Sequence, residues 1–178
     1  MKTLIIAAHP NLHNGSRLNK QLIDAVIADG RGTIHELYTE YPEGIIDVNR
    51  EQQLLLAHDR IIFQFPFWWY STPSLLKKWF DEVLLFGFAY GDGGNKLHGK
   101  EWGMAITTGG PAESYSSTGY NKFSIDELTR PFQVTCSLIG MKYLPAYTVH
   151  GAHHLTDEEL AKAAEGYVGY AYEVYSRV

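Results

Sequence analysis

Apolar positions along the 178-residue chain fall into two alternating patterns. A continuous apolar run at residues 3–8 is the mark of a strand buried on both faces, residues 33–37 read as a second, weaker strand, and further strands are predicted at 60–65, 102–107 and 143–149. Between them, apolar residues recur every three to four positions, the mark of helices lying on a sheet. Residues 17–28 place Leu18, Leu22, Ile23, Val26 and Ile27 on one helical face, and residues 49–58 carry Leu54, Leu55 and Leu56. The next helix is predicted to open with Thr72 as N-cap and Pro73 as its first residue. Its stripe is Leu75, Leu76, Trp79, Phe80, Val83 and Leu84. Residues 125–139 predict a helix interrupted by Pro131, and residues 157–175 a closing helix capped by Thr156 ahead of three acidic residues.

Five strands alternating with helices predict an α/β protein of three layers, a five-stranded parallel sheet covered on both faces. With no internal repeat or linker, residues 1–178 are expected to form a single domain. The strand order that fits five such units is the flavodoxin-like 2-1-3-4-5. In that order the chain reverses direction beside strand 1, which puts a binding crevice outside the carboxyl ends of strands 1 and 3. A 45% hydrophobic composition is enough for one core. Met1-Lys2 leads straight into the first strand, so no signal peptide is expected. The apolar runs fall far short of the roughly 20 residues of a membrane span. The single cysteine, Cys136, excludes an internal disulfide and a cysteine-built metal site. This is a cytoplasmic profile, and a net charge of −5 argues against nucleic acid as a partner.

Three loops share the predicted rim. The first, HPNLHNGSRLN at 9–19, ends at a helix N-terminus whose free N–H groups suit a phosphate, with Ser16, Asn19 and His9 as further donors. The same residues also read as an ordinary N-cap and turn, and the loop is neither GxGxxG nor a Walker loop. The second loop follows the third strand: QFPFWWYSTP sets two Phe, two Trp and a Tyr into positions 64–73. So much flat apolar surface at a switch point suits a planar ring system, against a protein-interaction patch or core plug as the alternative. The third, TTGGPAESYSSTGYN at 107–121, offers the amides of Gly109 and Gly110 and the phenol of Tyr115. Phosphate, planar ring and an acceptor-rich pyrimidine edge are the three parts of flavin mononucleotide.

The combination QFPFWWYSTPSLLKKWFDEV, FAYG and ITTGG, with a Tyr five residues past the second Gly, resembles the flavodoxin-fold NAD(P)H:quinone reductases. It looks closest to the small bacterial branch of general-stress-type NAD(P)H oxidoreductases and ancillary flavoproteins of glutathione-gated potassium efflux systems. The resemblance extends over residues 3–160. It implies that His9, Ser16, Leu18 and Asn19 hold the flavin phosphate. Pro66, Phe67, Trp68, Trp69 and Tyr70 would flank the ring, and Thr107, Thr108, Gly109, Gly110 and Tyr115 its pyrimidine end. The mammalian members carry a His six residues after the Tyr; here that position is Asn121, which donates a hydrogen bond but takes up no proton near neutral pH. Tyr115, with Asn121 as polar support, is therefore the expected catalytic pair. The short first loop and the missing C-terminal extension favour FMN over FAD.

The expected activity is ping-pong reduction of a quinone-like acceptor by NAD(P)H through the flavin. The resemblance also implies a homodimer, with Phe88 and Tyr90 of the glycine-rich stretch 86–100 reaching a second subunit's site. The apolar helix over 75–84 is expected to face that partner. His150, His153 and His154 raise a zinc question, but no carboxylate or cysteine stands at a telling spacing, so no metal is expected. A one-electron flavodoxin would be more acidic. A phospho-acceptor domain would need carboxylates where Ala8-His9 and Phe65-Pro66 stand. A regulatory subunit of a potassium efflux transporter is the remaining alternative, and it is compatible with enzyme activity.

Overall fold

The computed structural model describes residues 1–173. Its central element is a six-stranded parallel sheet built on the order β2-β1-β3-β4-β5, with β6 also pairing β4. The strands are β1 (Thr3–Ala7), β2 (Gly32–Glu36), β3 (Arg60–Pro66), β4 (Glu101–Thr107), β5 (Lys142–Tyr143) and β6 (Tyr147–Val149). The helices are α1 (Leu12–Gly15), α2 (Arg17–Asp29), α3 (Leu37–Glu40), α4 (Val48–Ala57), α5 (Ser74–Val83), α6 (Ile125–Leu128), α7 (Arg130–Leu138) and α8 (Asp157–Tyr172). The predicted end of the last helix, Tyr175, lies outside the described residues.

Side chains on one strand point alternately to opposite faces, and this splits the core in two. Leu4 and Ile6, Ile61, Phe63 and Phe65, and Met104 and Ile106 meet α3, α4, α5 and α7 on one side. Ile5, Ala7, Ile62 and Ala105 meet α2 and α8 on the other. Gly103 belongs to the second face. A Cβ there would stand 2.7 Å from the hydroxyl of Tyr170, which accepts from the Met104 N–H at 3.1 Å. That close approach of α8 to the sheet leaves no room for a side chain.

Four local expectations are corrected. The fifth strand is broken in two: β4 takes three steps from Trp102 to Ala105 where its partner takes four, from Tyr143 to Tyr147. Pro145 falls in this extra segment, where it lacks the N–H a ladder needs. The helix over 125–139 is two helices, because the chain leaves helical geometry at Thr129 and Pro131 enters in the first turn of α7. Thr72 does not cap α5. Pro73 holds the cap position with φ −54° and ψ 148°, its carbonyl accepts from Leu76 N–H, and the Thr72 hydroxyl is buried without a partner among the described residues. Finally, most of the apolar stripe of α5 is consumed internally: Leu75, Leu76, Trp79 and Val83 are buried in this chain's own core, while Phe80 and Leu84 also line a groove beside it.

The Thr156 cap forms as expected. Its hydroxyl accepts from Glu159 N–H while the Glu159 carboxylate accepts from Thr156 N–H, a reciprocal box that starts α8.

Candidate active site

A cavity of about 460 Å³ opens at the carboxyl ends of β1, β3 and β4, the switch point of the sheet. This volume lies within the roughly 300–1,000 Å³ of small-molecule sites. Of the predicted residues, His9, Ser16, Leu18, Asn19, Pro66, Phe67, Trp68, Thr107, Thr108 and Gly109 line it. Trp69 and Tyr70 line an adjoining shallow groove with Phe67 and Trp68. Gly110, Tyr115 and Asn121 do not line it.

The first loop presents donors through strict hydrogen-bond accounting. Ser16 Oγ accepts from Asn19 N–H at 3.2 Å and from Asn19 Nδ2 at 3.0 Å. Its own hydrogen therefore remains to donate. Asn19 Nδ2 also donates to Thr107 Oγ1 at 3.0 Å, which commits both of its hydrogens. Asn19, 3% exposed, is thus a brace between loop and sheet, contrary to the expectation that it donates to a ligand. The N–H groups of Arg17 and Leu18, at the first turn of α2, have no partner among the described residues. His9 Nδ1 accepts from Asn11 N–H at 3.1 Å, so the neutral ring carries its proton on Nε2. Burial lowers its pKa, which favours that neutral form.

The second loop turns sharply. Ser71 N–H donates to Trp68 O at 3.0 Å, and both central residues, Trp69 and Tyr70, have positive φ, at 50° and 59°. Two bulky residues in the left-handed region are strained. The turn exposes Trp69 at 93% and sets Trp68 edge-on to His9, with ring centroids 5.7 Å apart. Phe67 is held inward, its N–H on Thr107 O at 2.8 Å.

The third loop is tied to the segment after β6. Ala152 N–H donates to Thr108 O at 2.9 Å and Gly151 N–H to Gly110 O at 3.0 Å. With their carbonyl neighbours bound from behind, the Gly109 and Gly110 N–H groups have no partner among the described residues. Gly109 has an ordinary backbone, and a Cβ there would meet only the His153 ring at 3.6 Å. Its bare Cα therefore keeps the cavity open rather than relieving the turn. Tyr115 packs its ring on His150, centroids 5.2 Å apart. Asn121 does not reach for Tyr115: its Oδ1 accepts from Tyr70 Oη at 3.0 Å, which ties the second loop to the third.

The sequence reading missed Pro10, Asn11, Gly15, Arg17, Ala152 and His153 as lining residues. For the last two a signal existed, since HGAHH follows the last strand on the loop side. Among the described residues no group of three metal-ligating side chains occurs, and no helix is long and apolar enough to cross a membrane.

A doubly wound sheet with its cleft at the switch point beside β1 is the architecture of a flavodoxin-like protein. A family model for the flavodoxin-like fold matches residues 1–171, and the chain belongs to that family. Relatives that include named NAD(P)H oxidoreductases and an NADPH-quinone reductase make the chain an oxidoreductase. The uncharacterized NAD(P)H oxidoreductase YdeQ of Bacillus subtilis is 54% identical over 94% of this chain and 85% of its own length. The potassium-efflux ancillary protein KefG of Cronobacter sakazakii is 40% identical, over 93% of this chain and 90% of its own.

Among solved structures, general stress protein 14 of Treponema denticola in complex with FMN matches at TM-score 0.91 and 40% identity, covering 96% of this chain and 98% of its own. An NADPH-quinone reductase from P. pentosaceus matches at 0.90 and 37%, covering 98% and 100%. A chain crystallised under the name thermophilic tryptophan halogenase, from Streptomycin violaceusniger, matches at 0.94 and 45%, covering 97% and 99%.

Proposed function

We propose that this chain binds FMN in the cavity at the switch point and uses it to reduce a quinone-like acceptor with NAD(P)H, in successive half-reactions at one shared site. The observation that carries this reading is the set of unpaired donors around one cleft. The Ser16 hydroxyl and the Arg17 and Leu18 amides stand at one end, the Gly109 and Gly110 amides at the other, and aromatic surface between them. The residues fit the group: an anion-ready helix end for the phosphate, a flat wall for the ring, and a donor turn for its acceptor-rich edge. The bound flavin supplies two-electron chemistry that no side chain here can perform.

The chain's own part is to bind, orient and stabilise. His9 Nε2–H, Ser16 and the first turn of α2 hold the phosphate. Pro66, Phe67 and Trp68 set the plane of the ring. The Gly109 and Gly110 amides and the Tyr115 hydroxyl would serve the edge that gains negative charge on reduction, where one such donor is worth about 2.7–4 kcal/mol in comparable oxyanion sites. Trp69 and Tyr70 border the open side, where nicotinamide and acceptor would alternate.

Two features support a second copy of this chain beside that open side. Trp69, Phe86 and Tyr120 are 93%, 66% and 87% exposed. An apolar groove of about 390 Å³, lined in part by Tyr70, Phe80, Tyr90 and Phe132, continues from the aromatic loop. Tyr90 is placed to contact a partner; Phe88 is half-buried against its own core and contributes less.

The test is direct. The purified protein should show the yellow flavin spectrum, release FMN identified by mass, and oxidise NADH or NADPH only when a quinone is supplied. A colourless protein that takes up no FMN on titration would end the reading. The 40% identity to KefG favours one further role, as an ancillary subunit of a potassium efflux transporter. Co-purification with such a transporter would establish it.

A further inference from the structure

We propose that His150 is a positioning residue for the flavin edge: it fixes the hydrogen-bond polarity of the glycine turn through Thr108. The inference rests on the flavin reading above and assigns a task to a residue outside the cavity lining. Thr108 Oγ1 lies 2.8 Å from Gly110 O and 2.9 Å from His150 Nδ1. A hydroxyl has one hydrogen, and a carbonyl oxygen has none to offer, so that hydrogen must go to Gly110 O. The His150 contact is then satisfied only if Nδ1 carries a proton and donates. This selects the Nδ1–H tautomer and leaves the Nε2 lone pair free.

The chain of donation runs His150 Nδ1–H to Thr108 Oγ1–H to Gly110 O, with Gly151 N–H on the same carbonyl at 3.0 Å. The Thr108 and Gly110 carbonyls are thereby both held toward the segment after β6. The Gly109 and Gly110 N–H groups are what remains for the cleft. Glycine peptides rotate easily, so without this chain the Gly110 carbonyl is free to turn outward and present an acceptor to an acceptor-rich ligand edge. The His150 ring also backs Tyr115, centroids 5.2 Å apart, so one residue sets both the turn and the phenol. Burial lowers the His150 pKa against the opposing pull of Glu113, consistent with a neutral ring whose tautomer matters.

Two measurements test this, one without flavin. In flavin-free protein, ¹⁵N shifts of the His150 ring should report the Nδ1–H tautomer; the Nε2–H form would overturn the proposal. FMN affinity is then read by flavin fluorescence in Thr108→Val, His150→Leu and the double variant. Each single change should weaken FMN about tenfold. The double should be no weaker than the worse single, because both break one chain. Riboflavin, which lacks the phosphate, should lose the same factor, since the damage is at the ring edge. His150→Asn keeps a donor near the Nδ1 position and should restore most of the affinity, which a merely space-filling role would not predict. Unchanged binding in His150→Leu, additive losses, or no rescue by Asn would each refute the proposal. If the parent itself bound no FMN, the flavin reading would fall, and the ring shifts would still decide the direction of the hydrogen bonds.

Discussion

Tyr115 carries a hydroxyl with no hydrogen-bond partner among the described residues, on a ring already fixed by His150. Its removal in Tyr115→Phe should leave flavin binding intact and slow reduction by NAD(P)H roughly ten- to a hundredfold, about 1.4–2.7 kcal/mol. Stopped-flow bleaching of the flavin measures it, and an unchanged rate would mean that the backbone amides act alone. Gly109 is open to substitution on the side of the turn. A Cβ there has only ordinary contact with His153. Gly109→Val should therefore unfold within about 0.5 kcal/mol of the parent. It should nonetheless lose FMN affinity, because its branches enter the cavity. Equal affinity in fluorescence titration would remove Gly109 from the site.

At the scale of the element, the aromatic turn stores strain that its sequence does not relieve. Trp69 and Tyr70 sit at positive φ, where Asn and Gly are at ease and aromatic residues are not. The double change Trp69→Asn, Tyr70→Gly should raise stability by about 1 kcal/mol in urea unfolding. The same change strips the wall beside the cleft and breaks the Tyr70–Asn121 bond, so kcat/KM for the acceptor should fall. A variant that lost stability would show that ring packing outweighs backbone strain in this turn. Strain kept at a rim that borders a cleft is the pattern expected where function sets the backbone.

Across the whole molecule, one buried carboxylate ties three elements and the residue that ends α3 together. Glu51, on α4, accepts from Tyr41 Oη at 2.5 Å and from Trp79 Nε1 of α5 at 2.7 Å. His35 Nε2 of β2 lies 2.9 Å away, near enough to pair but poorly angled for a hydrogen bond. Burial raises the Glu51 pKa, but these donors outweigh it and hold it below the ordinary value of 4.5. A depressed carboxylate contributes stability above the unfolded-state value and loses it as pH falls through the folded one. Glu51→Gln should therefore cost about 3 kcal/mol at pH 7 and less below pH 4.5, read by urea unfolding at both pH values. A gap that did not narrow in acid would show that Glu51 is not ionised in the fold. The exposed aromatics beside the cleft predict a dimer in sedimentation at micromolar concentration, and Tyr90→Lys should shift it toward monomer. A fully active monomeric parent would dismiss the second copy from the site.

What could be read in the chain alone follows from periodicity, which is local. Fully apolar runs and three-to-four spacing marked strands and helices, mostly to within a residue, and strand order with loop position brought His9, Ser16, Pro66, Trp68 and Gly109 to one rim. What stayed hidden depends on partners distant in sequence. Asn19, on α2, looks like a free donor until Thr107, at the end of β4, takes its hydrogen. Most of the stripe of α5 looks like an interface until its own core covers it. Asn121 braces Tyr70, and His150 supplies the ring behind Tyr115, because the end of β6 lies beside the end of β4. A side chain's chemistry is set by which hydrogens and faces its neighbours leave unused, and that tally exists only once the chain has folded.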